Sequence, residues 1–583
     1  MHQLSRFLKP YKRTLCFILI ALFLQTFGTL YIPTLTAEIV NTGIVSGNIQ
    51  NILKTGGFML FVAVLNGFFA ITGTWFASSL ASKVGRDLRN ALFQKAQRLS
   101  LNDFKHFGTA SMITRSTSDI TQIQQMLIMT IGMMLPAPIM TVAGLILAYS
   151  KNSVMATIIL LTMVIFMIAA IFIIKKTVPL FEQIQKRMDH INRTMREFIS
   201  GVRVIRAFNR TPSEEKRVGK TFSDYADLAI RVNKLFAVMM PFILMLLNLC
   251  TIAIIWFGGI QVTQGLMAIG DIMAMIEYAL LILYFLVMGV MVFMMLPRAQ
   301  ACAARVNEVL NHKPEILDDP RTVIPVEGAP RLSFKNVTFS YQNAEEPVLN
   351  DLSFTCHAGQ TTAIIGGTGS GKSTIASLIP RFYDIQSGCI AIDGVDIRTH
   401  TQEALRDQIG FIPQKAFLFS GTIAENLRYG HAEASDIMLE NAAKIAQAHD
   451  FINELPDGYQ APVAQGGSNF SGGQKQRLAI ARALVKRAGI YVFDDSFSAL
   501  DFKTDAALRK AIAENINDAA VIIVAQRITT IMDAEQIIVL DDGAIVGIGT
   551  HQELIKNCDV YRKIAESQLS KEELHEYTAG NES

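Results

Sequence analysis

Cysteine is scarce in this chain: six among 583 residues (Cys16, Cys250, Cys302, Cys356, Cys389 and Cys558), with no C-x-x-C pair. That scatter excludes a disulfide framework and a zinc site of the usual spacing, and suits a reducing compartment for any soluble part. Charge is also thin. Asp, Glu, Lys and Arg make up 18% of the chain and the net charge is +3, too little for a nucleic-acid-binding surface. What is abundant is apolar: 50% hydrophobic residues and a mean hydropathy of +0.32, too high for a purely soluble protein. The excess is uneven, since 23 of the 25 methionines precede residue 296.

Six apolar segments are long enough for a bilayer, which takes about 20 residues of helix. They run Thr14–Thr36, Phe58–Phe76, Met126–Tyr149, Val154–Ile174, Phe236–Gly259 and Ile272–Leu296. The first follows a short basic stretch (Arg6, Lys9, Lys12, Arg13) but is too long for a cleaved leader, so it reads as an uncleaved anchor. His2 to Tyr11 reads as a short amphipathic helix at the inner surface. Loop 77–125 carries seven Lys/Arg and loop 175–235 fourteen, against one, one and none in loops 37–57, 150–153 and 260–271. The positive-inside rule then places both termini and the two long loops in the cytoplasm of a multi-pass protein of the cell membrane. The long loops have helical periodicity, so the membrane helices are expected to continue beyond the bilayer.

Polar residues within the spans are few: Gln25, Asn66, Asn248 and Glu277. Glu277 lies near the start of its helix and reads as a solvated end residue, with a functional intramembrane carboxylate as the alternative. The last span is dense in methionine (Met273, Met275, Met288, Met291, Met294, Met295). Thioether side chains re-pack around varied apolar ligands, and they also pack helices.

The second half reads differently. His312 to Pro330 is polar and proline-bearing, a linker into an α/β domain in which β-rich runs alternate with helical patterns. The boundaries read as 1–311 for an all-α six-helix transmembrane domain, 312–330 for the linker, 331–566 for the α/β P-loop domain and 567–583 for a tail. Gly366-Gly367-Thr368-Gly369-Ser370-Gly371-Lys372-Ser373 fits G-x-x-x-x-G-K-[ST], with an apolar strand before it and a helix opening at Thr374. Such a loop turns backbone N–H groups onto a phosphate chain, with Lys372 reaching the β/γ-phosphates and the Ser373 hydroxyl on Mg²⁺. ATP and Mg²⁺ are the expected ligands. Further on come Phe470-Ser471-Gly472-Gly473-Gln474, the apolar run Ile490–Phe493 ending in Asp494-Asp495, and Ser498-Ala499-Leu500-Asp501.

The order and spacing of these motifs resemble the nucleotide-binding domain of ATP-binding cassette (ABC) proteins. Six spans fused ahead of it resemble a type IV ABC exporter half-transporter. The resemblance implies that Tyr341 stacks on adenine and that Gln414 touches Mg²⁺ and contacts the membrane domain. It implies that Asp494 holds Mg²⁺ through water and that Ser471, Gly472, Gly473 and Gln474 form the signature that meets a partner's nucleotide. It further implies that Asp501 crosses toward the other site. Segments near Asp103–Gly108 and Arg203–Phe208 correspond to coupling helices.

Two positions depart from the family pattern. Asp495 stands where a glutamate general base is usual, and Gln526, in Val524-Ala525-Gln526-Arg527, where a histidine is usual. Aspartate is one methylene shorter, and a misplacement of about 1 Å can cost on the order of 100-fold in rate. Gln526 can donate to a γ-phosphate but cannot titrate. Phe470 stands where leucine is usual, and Gln465 where a glutamate is common. Together these resemble the degenerate-site subunit of a heterodimeric multidrug exporter. The implied partners are a second half-transporter chain, membrane lipid and an apolar or amphipathic small molecule, with no nucleic acid. A peptide or lipid exporter subunit, or an ATP-gated membrane sensor that does not pump, are the alternatives. No N-terminal peptidase domain is seen, which disfavours self-processing of a peptide cargo; separate chains for the two domain types, usual in importers, are not seen either.

Overall fold

Apolar runs with no period-two alternation fill the first half, and each becomes helix. The computed structural model describes residues 6–318, 328–342 and 344–569. A 3₁₀ turn at Lys9–Tyr11 leads into α1 (Lys12–Glu38), extended by a π-helical stretch at Ile39–Ile44. Then come α2 (Ile49–Gln97) and the short α3 (Leu101–Phe107). The third span is composite. α4 (Thr109–Thr114), α5 (Ile120–Met129) and α6 (Pro136–Lys151) are joined by π-helical stretches at Arg115–Asp119 and Thr130–Met134. α7 (Ser153–Ala207), α8 (Thr211–Thr263) and α9 (Ile269–Asn311) complete the set. Among the described residues, six helical runs are long and apolar enough to cross a membrane. The 55 residues of α7 extend about 80 Å at the helical rise, well past a hydrocarbon core of about 30 Å.

Each of two units has its own interior: Met1–Gln97 with Gly108–His312, and Arg98–Phe107 with Lys313–Ser583. In the helical unit Phe61, Phe68 and Trp75 of α2 and Phe172 of α7 are exposed, as lipid-facing side chains are, because hydrocarbon rather than water is their solvent. Leu30, Met140, Met275, Tyr278 and Ile282 are buried together, and the Tyr278 and Thr34 hydroxyls lie 2.6 Å apart. Glycine is needed at 270: a Cβ there would stand 2.4 Å from the Ala37 carbonyl oxygen.

In the second unit a four-stranded antiparallel sheet runs in the order β2-β1-β4-β5. Its strands are β1 (Leu332–Phe339), β2 (Leu349–Cys356), β4 (Ser387–Ile392) and β5 (Val395–Asp396). A six-stranded sheet has the order β12-β11-β3-β10-β9-β6, comprising β3 (Thr361–Gly366), β6 (Ile409–Ile412), β9 (Ile490–Asp494), β10 (Ala520–Val524), β11 (Gln536–Asp541) and β12 (Ala544–Gly549). It is parallel except at the β11–β12 edge. β9 and β10 are buried at every residue, as continuous apolar strands covered on both faces must be. A short pair, β7 (Gly421–Thr422) and β8 (Pro462–Val463), completes the strands.

The helices of this unit begin with α10 (Lys372–Leu378), α11 (Gln402–Asp407), α12 (Ile423–Arg428), α13 (Asp436–Ile445) and α14 (His449–Asn453). α15 (Gly472–Val485), α16 (Phe502–Asn515), α17 (His551–Asn557) and α18 (Asp559–Gln568) follow. The boundary read at 566 falls inside α18. Burial pushes the Cys356 thiol up to about 11, so it is an inert core residue. The first four residues of the expected surface helix, positions 319–327 of the linker and positions 570–583 of the tail, with Lys571-Glu572-Glu573, lie outside the described residues.

Among the described ion pairs of the helical unit, the one between Arg305 and Asp119 is the most buried at its acid. Arg305 of α9 donates from Nε and a terminal nitrogen to the two oxygens of Asp119, at 2.8 and 2.6 Å. The aspartate side chain is 3% exposed and the arginine 46%. Arg305→Ala is expected to cost about 1–3 kcal/mol by leaving the buried carboxylate short of its partner, less than a fully buried pair because solvent screens the arginine. Arg305→Lys is expected to recover only part, since lysine cannot reproduce the paired donors. The thermal midpoint of the purified protein measures both; an unchanged midpoint for the alanine variant would contradict the assignment.

Candidate functional site

Four adjacent strands, β3, β10, β9 and β6, end on the same side of the parallel sheet, where α/β folds bind ligands. The polar motifs follow those ends. β3 runs into the glycine loop. Gly369 and Gly371 have φ of +86° and +94°, and a Cβ on Gly371 would meet the Leu349 side chain at 2.4 Å. Gly366 is crowded differently, with the Leu540 carbonyl oxygen 2.2 Å from where a Cβ would stand. Lys372, 9% exposed, donates to the carbonyls of Gly366 and Gly367 at 2.9 and 2.6 Å and to Ser370 Oγ at 3.4 Å. Burial lowers its pKa, with Asp495 and Asp494 pulling the other way.

β9 delivers the two carboxylates. Ser373 Oγ donates to Asp494 Oδ1 at 2.7 Å. Burial pushes the Asp494 carboxyl up; the Ser373 hydrogen bond and Lys372 oppose this, while Asp495 adds to it. Asp495 has φ of +48°, and its Oδ2 accepts from two side-chain amides, Gln414 Nε2 at 2.9 Å and Gln526 Nε2 at 2.8 Å. Gln414 follows β6 and Gln526 follows β10. Gln414 is thus turned to Asp495 rather than to the Ser373–Asp494 pair.

A hydroxyl beside a carboxylate is the hard-oxygen set that Mg²⁺ takes. Among the described residues no cluster of three or more His, Cys, Asp or Glu could hold a metal, so a cation here depends on phosphate oxygens as well. Ser373 and Asp494 would hold it, and it would supply charge neutralisation to the phosphates.

An open cavity of about 610 Å³ lies over the loop, within the range of small-molecule sites. It is lined by Tyr341, Val348, Gly366, Gly367, Thr368, Gly369, Gly371, Lys372, Ser373, Thr374, Gln526, Ile564, Ser567 and Gln568. Ser370 is buried beneath it. Tyr341 is fixed edge-on to Phe339 and Tyr383, at centroid distances of 5.0 and 5.4 Å, and its hydroxyl lies 3.1 Å from Thr374 Oγ1. A ring so held offers a stacking platform for a base. Lys105 of α3 donates to the Tyr383 hydroxyl at 3.0 Å and lies 5.3 Å from the Tyr341 centroid. Asn102 donates to Gln342 at 2.9 Å.

The signature residues are elsewhere. Ser471 starts α15 in a capping box with Gln474, Ser471 Oγ accepting from the Gln474 N–H at 3.3 Å and Gln474 Oε1 from the Ser471 N–H at 2.9 Å. Asp501 caps α16 through Thr504. Ser471, Gly472 and Asp501 are exposed, and none of the signature residues or Asp501 lines the cavity. The signature and Asp501 are thus set apart from the cavity over the glycine loop. Val348, Ile564, Ser567 and Gln568 belong to no motif in the sequence, and Lys105, within the segment expected to be a coupling helix, carried no expected role at the cavity. In the helical unit, an apolar crevice between α7, α8 and α9 includes Phe166, Met239, Phe242, Met291 and Met294; Met288 and Met295 are not in it.

Lys372→Ala removes the cation that faces the phosphates and is expected to weaken ATP binding by roughly 10- to 100-fold, as for loss of a charged hydrogen-bonding group. The same change relieves the burial cost of the ammonium, so the nucleotide-free thermal midpoint should not fall. Competition binding and thermal denaturation check the two halves, and retained affinity would remove Lys372 from the site.

These features are matched in known proteins. The family model of the ABC transporter transmembrane region matches residues 15–287, and that of the ABC transporter matches residues 349–498. An uncharacterized ABC transporter ATP-binding protein of Mycobacterium tuberculosis is 40% identical, covering 97% of each chain. An ATP-dependent lipid A-core flippase of Syntrophus aciditrophicus is 30% identical over 91% of this chain and 86% of its own. The structure of a bacterial Atm1-family ABC exporter with ATP bound superposes with a TM-score of 0.80 at 27% identity, covering 96% of this chain and 99% of that one. With its membrane and ATPase regions fused in one polypeptide, this chain belongs to the ABC transporter family and is a half-transporter with an exporter fold.

Proposed function

We propose that the chain is the degenerate-site subunit of a heterodimeric exporter of amphipathic or apolar compounds. In this reading it binds ATP–Mg²⁺ at a face that hydrolyses poorly and presents an intact signature to the partner's site. The observation that carries the reading is the state of Asp495. A general base needs a free lone pair within about 2.6–3.2 Å of the water it deprotonates. Here a side chain one methylene short of glutamate has one oxygen taken by two amide donors, at 2.8 and 2.9 Å. Neither glutamine can accept a proton at that nitrogen.

The exposed start of α15 supports a two-chain site, because Ser471 does not line this chain's cavity. So does the tip after α7, where Val204 and Phe208 are exposed, Phe208 by 74%; an apolar tip of this kind suits a second nucleotide domain. Seven and fourteen basic residues in the two long loops support a cytoplasmic nucleotide domain in the cell membrane. The apolar crevice with Met291 and Met294 supports an adaptable apolar cargo, of multidrug type. A lipid cargo is the second reading, favoured by the likeness to a lipid A-core flippase.

If the methionines serve cargo, Met291→Leu with Met294→Leu keeps volume and apolarity but should narrow or shift the range of dyes moved by the pair, with little loss of folding. An unchanged range in vesicle transport assays returns them to packing.

The sharper test is a crossed one in the purified pair at saturating ATP. Ser471→Ala removes a donor at developing charge in the partner's site and should cost about 10²–10³ in ATPase rate. Asp495→Asn should change it only mildly, and the chain alone should turn ATP over far more slowly than the pair. If Asp495→Asn proves the more damaging, this chain carries the active site and the roles are reversed.

A further inference from the structure

The loop that carries Gln526 is gripped from outside the sheet. Ile528 N–H donates to Gln568 Oε1 at 2.8 Å, and Gln568 Nε2 donates to the Gln526 carbonyl at 2.8 Å. One side-chain amide thus pairs with residues 526 and 528 as a neighbouring parallel strand would, continuing the ladder where β10 has ended. The residue between them, Arg527, lies over the Phe502 ring at 5.4 Å, so both sides of the loop are held.

Gln568 is itself well anchored. It ends α18, whose Tyr561 and Ala565 are fully buried in the core under the parallel sheet. The Tyr561 hydroxyl lies 2.6 Å from His551 Nδ1, and Leu569 N–H closes the helix on the Ala565 carbonyl at 2.8 Å. Gln568 and Ser567 also line the nucleotide cavity. Held in this way, the Gln526 backbone aims its side chain at Asp495 Oδ2, 2.8 Å away.

We infer that Gln568 is a positioning residue of the nucleotide site: its amide fixes loop 526–528 so that Gln526 is presented to the terminal phosphate, which ATP has and ADP lacks. The inference rests on the reading of Gln526 as the γ-phosphate neighbour. An unclamped loop samples other backbone states, and the ordering it then needs is charged against ATP alone.

The test uses the full-length protein with Mg²⁺, titrating ATP and ADP separately against a fluorescent trinitrophenyl-ADP probe. Gln568→Met keeps the length and packing of the side chain while removing both polar atoms. It should raise the ATP dissociation constant roughly threefold to tenfold, as expected for two exposed hydrogen bonds, and leave ADP within about twofold. Gln568→Glu, which accepts from Ile528 but cannot donate to the Gln526 carbonyl, should behave like the methionine variant at neutral pH. Gln526→Ala should show the same ATP-selective loss, and Gln568→Met added to it should do no further harm, because the clamp acts through Gln526. Equal weakening of ATP and ADP, or full additivity in the double variant, overturns the inference. If Gln526→Ala leaves ATP binding intact, the reading of Gln526 falls and the clamp with it. If Gln526→Ala is selective and Gln568→Met is silent, the clamp alone falls.

Discussion

The nucleotide domain is organised around charge removed from water before any nucleotide is present. Lys372, Asp494 and Asp495 are each at least nine-tenths buried, and burial shifts Lys372 and Asp494 toward their neutral forms. Such groups persist only where partners are built for them. Lysine has the loop carbonyls, Asp494 has Ser373, and Asp495 has two amides. The parallel sheet is what brings these partners to one place, because β3, β10, β9 and β6 lie side by side and end together. Two acids beside one another are costly, and a cation with phosphates is what would relieve that arrangement.

Much of this could be read from the sequence, for identifiable reasons. Six long apolar runs admit few alternatives to membrane helices, since backbone groups in hydrocarbon must pair within the segment. The glycine loop shows because Gly366 and Gly371 have neighbours that leave no room for a Cβ, so composition there is forced. Ile490–Phe493 shows as a central strand because it is buried throughout. What could not be read are pairings across long separations. Gln414 and Gln526 meet on Asp495 from 81 and 31 positions away, and single residues carry no mark of such a meeting. Gln568 is more hidden still: a glutamine at the end of an amphipathic helix looks like solvated surface. The seven residues of α3 read as part of the membrane domain, yet they group with the nucleotide-binding unit because Lys105 and Asn102 have their partners there.

The two unusual residues are best understood as a matched pair. With aspartate and glutamine, the shorter acid meets a donor that cannot titrate, and the contact closes at 2.8 Å. Gln414 closes on the same oxygen from the other side. Such a pair suits a site that keeps its nucleotide while another site turns over, which is the division of labour proposed above.

Geometry also limits what one chain can do alone. Ser471 spends its hydroxyl on the Gln474 amide and its own N–H on the Gln474 side chain, which makes it a sound helix start and places it on exposed surface. The signature opens α15 and none of its residues lines the cavity over Gly366–Ser373, as the proposed two-chain site requires. Under the proposed reading, Asp495 and Ser471 would serve different nucleotides, and a weak base in a chain with a sound signature would be a coherent design rather than a damaged enzyme.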